Sequence, residues 1–451
     1  IDQAKAIFKS GLPQDKIDAY LNKCRPRFGL FDEKHPFGQN PNVAADEIEP
    51  WTKLTAEYNA TSNKVLFDHT DTIRLSPISL GGAARYLLST LNFSVRGGRG
   101  YRPSPSSDGV ICIPVGKDLS QTLLLSLVPY PNSAVMNSDS PIWERKESET
   151  MSIRSAFGYA DLYTWPARFM RLIKINGNDN CLKVAFMPGV GYNYKDSQLR
   201  DPMCPYSLNE KRGIEQIGWE DRGFWRSFPS LLPETGGNNV AAPSVISYIA
   251  SLSLAGLIQC SIPLSVSGQK FKNAAIEFWR MERFTFPLNI SAKYSSKSEI
   301  FEMLQLAEKT GDRLEKGIRN TGKFILTKTD STKTIRELKP DKWKYGKLEP
   351  GDLTKYLVST GVVTHYWSIL ESRFHEILGD FAAGTDADII RCRWLTYVRG
   401  ALKTVWEQYA ASIDSGYAWA IRALVKAERP VLEKLKELSV EIEKYQKQEV
   451  G

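Results

Sequence analysis

The character of the chain changes near Pro287, and this change limits more than any other feature what the chain can fold into. Before Pro287 the segments are short, mixed and rich in Gly and Pro; beyond it they are long, charged and helical in pattern. Strands and helices that do not alternate regularly fit an α+β body better than a doubly wound sheet. Long amphipathic segments suit a helical bundle. The expected organisation is therefore a mixed α+β domain with short sheets over 1–287 and a four-helix bundle over 288–451. A chain of 451 residues is long enough for two or three domains at about 150 residues each, with cores that need no disulfide or metal staple.

In the first part, Ser76-Pro77 predicts an N-cap with proline at the first helical position, followed by Ala84, Leu87, Leu88 and Leu91 at helical spacing. That helix ends before the glycine-rich stretch Arg96-Gly97-Gly98-Arg99-Gly100-Tyr101-Arg102. Val110–Val115 reads as a strand, and Asp118 caps a helix carrying Leu119, Leu123 and Leu127. Phe169–Ile175 and Cys181–Met187 form a hairpin with Asn176-Gly177 at its turn, and Ala274–Phe286 is a further strand. In the second part the periodicity predicts helical segments over Ser298–Phe324, Leu353–Phe381, Asp386–Ser415 and Tyr417–Tyr445. Thr327–Pro350 is the longest connection and is expected to be mobile.

Composition removes several classes. With 42% apolar and 24% charged residues the chain is neither disordered nor fibrous. Lys and Arg outnumber Asp and Glu by 59 to 51, a net charge of +8 that permits a polyanionic partner without demanding one. The six cysteines are scattered with no CxxC pair, so reduced thiols and a cytoplasmic location are the simpler reading. No apolar run approaches the ~20 residues needed to cross a bilayer, and IDQAKAIFKS has no basic-then-apolar signal pattern. No membrane partner is expected.

Catalytic chemistry finds little support. Of the four histidines, His365 and His375 lie ten apart on one predicted helix and do not form an HxxxH pair, while His69 beside Asp68 would point to the opposite face of a strand. Gly116-Lys117 completes no Walker motif, Gly97–Gly100 and Pro188–Gly191 complete no GxGxxG, and no spaced carboxylate cluster suggests a two-metal nuclease. The Gly97–Arg102 stretch carries more. It is either an ordinary surface turn or a contact loop, in which glycines let main chain approach a nucleic acid and arginines hold phosphates. Ser267–Asn273 likewise reads either as a strand-entry loop or as a small polar wedge in an exposed turn.

Several segments together resemble the CasA family, the large subunits of type I-E CRISPR Cascade surveillance complexes. Phe28-Gly29-Leu30-Phe31-Asp32 running into His35-Pro36-Phe37-Gly38-Gln39 resembles the family's FxL…HPFxQ signature, and Asn63–His69 resembles its LFxH segment. Ala83-Ala84 with Leu87-Leu88, Gly97-Gly98, Asp118–Leu125 and Tyr163-Thr164-Trp165-Pro166-Ala167-Arg168 follow in the family's order, the last similar to LxWQPxxI. The chain departs from the family in lacking the opening NLLxxPWIPV-like segment, so its start looks truncated. Where some relatives carry a zinc-capable cysteine cluster it has only Cys181 nearby, so no metal and no cofactor are expected.

The resemblance implies a non-catalytic subunit that reads a short motif beside the DNA target, the PAM, from the minor groove, starts strand separation and helps recruit the helicase–nuclease. On this sequence it implies a PAM loop of Gly97, Gly98, Arg99 and Arg102, and a lysine contact from Lys183 or Lys195. A strand-separating wedge falls at Lys272 and Asn273, with Gln269 as substitute. Phe67 and His69 would lie against the guide end and neighbouring subunits, although a core role suits Phe67 equally. The implied partners are the guide crRNA, a double-stranded DNA target with its PAM, the other Cascade subunits (backbone, small and guide-end) and the helicase–nuclease. The alternatives are an RNA-binding scaffold subunit without duplex readout and a metal-dependent nuclease.

Overall fold

The computed structural model describes every residue except 1, 45–47, 59–64, 66, 73, 98–99, 147, 175–180, 195–198, 210–212, 233–239, 273–274, 293, 327–347, 415, 417 and 449–451. The chain separates into two compact units, Ile1–Leu288 and Asn289–Gly451, the first mixed α+β and the second helical.

Among the described residues the first unit holds three three-stranded antiparallel sheets and a two-stranded parallel pair, and two of the three-stranded sheets position the candidate site. In one, Cys181–Pro188 lies between Ile48–Pro50 and Arg168–Lys174. Alternation along these strands sends Met170, Leu172 and Val184 to one face, where they meet Ala83, Leu87 and Leu91 of the helix Leu80–Phe93. Phe169 and Ala185 go to the other face and join Val43, Trp165, Ala167 and Val190. Both faces are covered, which is why the strand reads as a nearly continuous apolar run. The Asn176-Gly177 turn between the two strands lies outside the described residues.

In the second sheet, Ser261–Lys272 lies between Ala275–Pro287 and Ile111–Pro114. Its inner face carries Ile262, Leu264, Val266 and Phe286, with Phe228 stacked on Phe286 at 5.4 Å between ring centroids. Ser261–Lys272 overturns the expectation of an exposed turn over Ser267–Asn273: as far as Lys272 the segment is strand, and only 273–274 separate it from its partner. A second correction concerns the helix start. The cap is Ser79, whose Oγ accepts from Gly82 N at 3.2 Å, and Pro77 stands outside the helix. Asp118 caps Leu119–Ser126 as expected, accepting from Gln121 N at 2.8 Å.

In the helical unit the helix Tyr294–Leu326 packs against Asp352–Thr360, Val362–Ala383, Ala387–Ser412, Ala418–Ala427 and Arg429–Gln448. Three glycines on it admit large neighbours: a Cβ at Gly311 would lie 2.9 Å from Trp367, at Gly317 2.8 Å from Val431, and at Gly322 2.4 Å from Tyr356. Each of the four expected helical segments has its counterpart among the described residues, but two of them are broken. Gly361 adopts φ 65°, a left-handed conformation that ends Asp352–Thr360 and restarts the chain as Val362–Ala383. Pro430 has no main-chain N–H to continue the ladder toward Lys426, so Ala418–Ala427 stops and a new helix opens at Arg429. The connection predicted to be mobile lies mostly outside the described residues. No helix among the described residues is long and apolar enough to cross a membrane.

Candidate nucleic-acid interface

The glycine-rich loop hangs from the end of the helix Leu80–Phe93, and its two limbs are laced together. Ser94 N donates to Ser104 Oγ at 3.1 Å, Ser104 N to Ser94 O at 2.9 Å, and Ser104 Oγ to Leu91 O at 2.6 Å. Nearer the tip, Gly97 N donates to Tyr101 O at 3.2 Å. Arg168 fastens the whole. Its guanidinium donates to Val95 O at 2.5 Å on one limb and to Arg102 O on the other, and lies 4.8 Å from the centroid of the Tyr101 ring. Only 9% of Arg168 is exposed, and burial lowers its pKa to about 10, so it remains a cation at neutral pH. Five donors in a planar fork suit two carbonyls on different limbs in a way that a lysine cannot match.

The two glycines that the structure describes have different tasks. Gly100 turns the chain at φ 85°. At Gly97 a Cβ would sit 3.2 Å from Tyr101 Cβ, so the absence of a side chain there lets the limbs close. Arg96 and Arg102 flank the loop on either side. Gly98 and Arg99 lie outside the described residues.

The second element is the hairpin Ser261–Lys272/Ala275–Pro287. Pairing with Ile111–Pro114 stops at Ser267, so Gly268–Lys272 and the strand opposite run on as a two-stranded ribbon. A bulge at Glu277, between the pairs Lys270↔Phe278 and Phe271↔Ile276, bends the ribbon just before its end. Lys270 and Lys272 are exposed, and Lys270 Nζ and Arg280 Cζ lie 6.0 Å and 5.2 Å from the Phe278 ring centroid. Lys272 is the last described residue before the tip, and Asn273 lies outside the described residues. Gln269 is not an exposed wedge. It is 8% exposed, and its Nε2 donates to Phe93 O at 3.0 Å and Ser107 O at 3.1 Å. Loop and hairpin are thus joined at their roots.

Other expected contacts fall elsewhere. Lys183 is exposed on Cys181–Pro188, but Val184 beside it faces the helix, so Lys183 faces away from it. It is roughly 17 Å along the strand from Pro188, which approaches Gly100, and the structure does not bring it to the loop. Lys195 lies outside the described residues. Phe67 is 86% exposed and holds φ 65°, which corrects the core alternative. It sits on a turn in which Asp68 Oδ1 accepts from Thr70 N at 3.1 Å, so the Asp68-His69 pair is on a turn and not on a strand, and His69 is exposed. An aromatic side chain held outward on left-handed backbone is costly, and nothing among the described residues packs on it closely enough to bury it.

The FGLFD…HPFGQ segment proves structural. Phe37 N donates to Gly29 O at 2.9 Å, His35 N to Asp32 Oδ1 at 2.7 Å, and Gln39 links Leu30 O and Leu172 N, each at 2.7 Å. The backbone N–H groups of His35 and Lys34 hold the Asp32 carboxyl below its ordinary pKa. Among the described residues, no group of three or more His, Cys, Asp and Glu is placed to hold a metal ion.

A mixed α+β unit followed by a unit of packed helices defines a class already represented among solved structures. The structure of Thermus thermophilus CasA (Cse1) has a TM-score of 0.77 to this chain at 25% identity, over 97% of this chain and 86% of that one. A chain from a CRISPR RNA-guided surveillance complex has the same fold, with a TM-score of 0.69 at 18% identity over 96% of this chain and 85% of that one. In sequence, the CRISPR-associated protein CasA/Cse1 of Thermus thermophilus is 30% identical over 454 residues, covering 96% of this chain and 84% of the relative. Residues 1–405 match the family described as CRISPR-associated protein Cse1. The chain belongs to the Cse1 family.

Proposed function

We propose that this chain is the non-catalytic large subunit of an RNA-guided DNA surveillance complex, which reads the PAM from the minor groove and begins strand separation there. Its partners are the guide crRNA, a double-stranded target, the other complex subunits and the helicase–nuclease that destroys the DNA. The observation that carries the reading is the pinned pair of elements: a loop with glycines at its approach, shaped by Arg168, and a projecting ribbon fastened to that loop's stem. Family membership and the shared fold of a surveillance-complex chain support it.

The minor groove offers mainly acceptors and the guanine amino group, so a main-chain loop reads it with tolerance. Arg96 and Arg102 beside the loop suit phosphates. Unstacking one step costs about a few kcal/mol, and exchange of DNA–DNA for RNA–DNA pairing is close enough to balance that protein contacts tip it. Lys272 and Asn273 at the ribbon end would part the first pair. Phe67 and His69 would meet the guide end and neighbouring subunits.

The test uses the complex assembled with guide and partner subunits. Gly97→Asp forces a side chain toward Tyr101 and an anion toward phosphates, and duplex binding next to the PAM should fall by about tenfold or more. Lys272→Ala with Asn273→Ala should retain that binding and reduce permanganate reactivity of thymines beside the PAM. Unchanged duplex binding by Gly97→Asp would refute the reading in favour of an RNA-binding scaffold.

A further inference from the structure

Past Ser267 the hairpin has lost its flanking strand, yet its tip must stand at a set distance from the loop if reading and opening are to concern neighbouring base pairs. Three of the contacts among the described residues that steady the ribbon there stand out. Gly268 lies against the Trp219 ring, where a Cβ would come within 3.1 Å. Arg280 meets Asp221 at 2.8 Å in an ion pair open to solvent, a type of contact worth little. The third is the Gln269 amide, which reaches the loop itself.

Its two acceptors bracket the loop. Phe93 ends the helix that leads into it, and Ser107 follows the limb that leaves it. Both are carbonyl oxygens, so the amide nitrogen must face them and both of its protons are used. The bond to Ser107 is buried and the bond to Phe93 partly so, and a side chain that gave up the former would leave Ser107 O short of a partner. Gln269 is three residues from Lys272 on the same strand, so a displacement of its side chain is carried directly to the ribbon end.

We infer that Gln269 is a positioning residue that fixes the offset between the glycine loop and the hairpin tip, and so determines which base pair beside the PAM opens first. The inference rests on the reading above and adds to it a residue that touches neither DNA strand. Gln269→Met keeps the length and volume of the side chain and removes the donor. Gln269→Asn keeps the amide but is one methylene too short to span both carbonyls.

The experiment assembles each variant with guide and partner subunits, then measures equilibrium binding to PAM-containing duplex and maps permanganate-reactive thymines over time. Both variants should bind duplex within about threefold of the parent, while opening slows by about tenfold. The first reactive thymine should shift or spread over neighbouring positions. Opening that starts at the same thymine, or that falls only in parallel with binding, would show Gln269 to be ordinary scaffold and overturn the inference. Gly97→Asp is run alongside: if it leaves duplex binding unchanged, the PAM reading fails and takes the offset with it. If it weakens binding while both Gln269 variants open normally, the offset alone fails.

Discussion

Arg168→Lys isolates the role of the guanidinium clamp. The ammonium can reach Val95 O or Arg102 O but not both, and it loses the guanidinium's contact over the Tyr101 ring. A hydrogen bond from a charged donor contributes about 1.5–3 kcal/mol, and because Arg168 is largely buried little of this is screened by solvent. With one limb released, the shaped loop should be disfavoured by about 2 kcal/mol, which lowers the affinity of the assembled complex for PAM-containing duplex by up to about 30-fold. Global stability should fall less, because Ser94, Ser104 and Leu91 still lace the stem. Hydrogen exchange across 94–107 together with duplex titration tests this. Faster exchange should be confined to the loop and accompany the weakened binding. If Arg168→Lys loosens the loop yet binds duplex as the parent does, the loop's shape is irrelevant to DNA and the clamp has no part in recognition.

Other substitutions probe the rest of the molecule. Gly322→Ala drives a methyl into Tyr356 and should destabilise by about 1–3 kcal/mol after offsetting its helix-propensity gain, whereas Gly379→Ala, with open space around it, should stabilise by about 0.5–1 kcal/mol; thermal unfolding compares them. Phe67→Ala should leave the unfolding temperature of the chain unchanged and weaken assembly with guide and partner subunits, as measured by co-purification at matched concentration. Burial lowers the pKa of His375 below the ordinary 6.5, so the unfolded chain binds more protons than the folded one in this range. Stability should therefore fall as pH drops from about 6.5 through the depressed value, and His375→Gln should flatten that slope in unfolding curves taken between about pH 7.5 and pH 5.

Much of the fold could be read because its signals are local. Asp118 caps the helix it precedes, and the apolar alternation of Phe169–Ile175 marks a strand that spans Arg168–Lys174. Ser76-Pro77 misleads because Ser79 offers the same chemistry three residues on, and only geometry decides which oxygen reaches Gly82 N. The break at Gly361 is equally hidden: a glycine costs a helix little enough that periodicity passes over it. At the interface, glycine and arginine content draws attention to the loop, but its clamp comes from Arg168, 66 and 73 residues away from the carbonyls it holds. Gln269 meets Phe93 across 176 residues. Neither spacing leaves a trace in sequence, and polarity alone makes Gln269 look like a surface wedge.

Under the proposed reading the ribbon beyond Ser267 would also serve as a yardstick. Strand residues advance about 3.4 Å each, close to the spacing of stacked bases. Lengthening both limbs by two residues would keep every side chain on its own face and carry the end roughly 7 Å further, about two base pairs. Lengthening both by one would turn the end over and present the wrong side chains. Relatives that part their targets at a different pair should therefore differ in this arm by even steps.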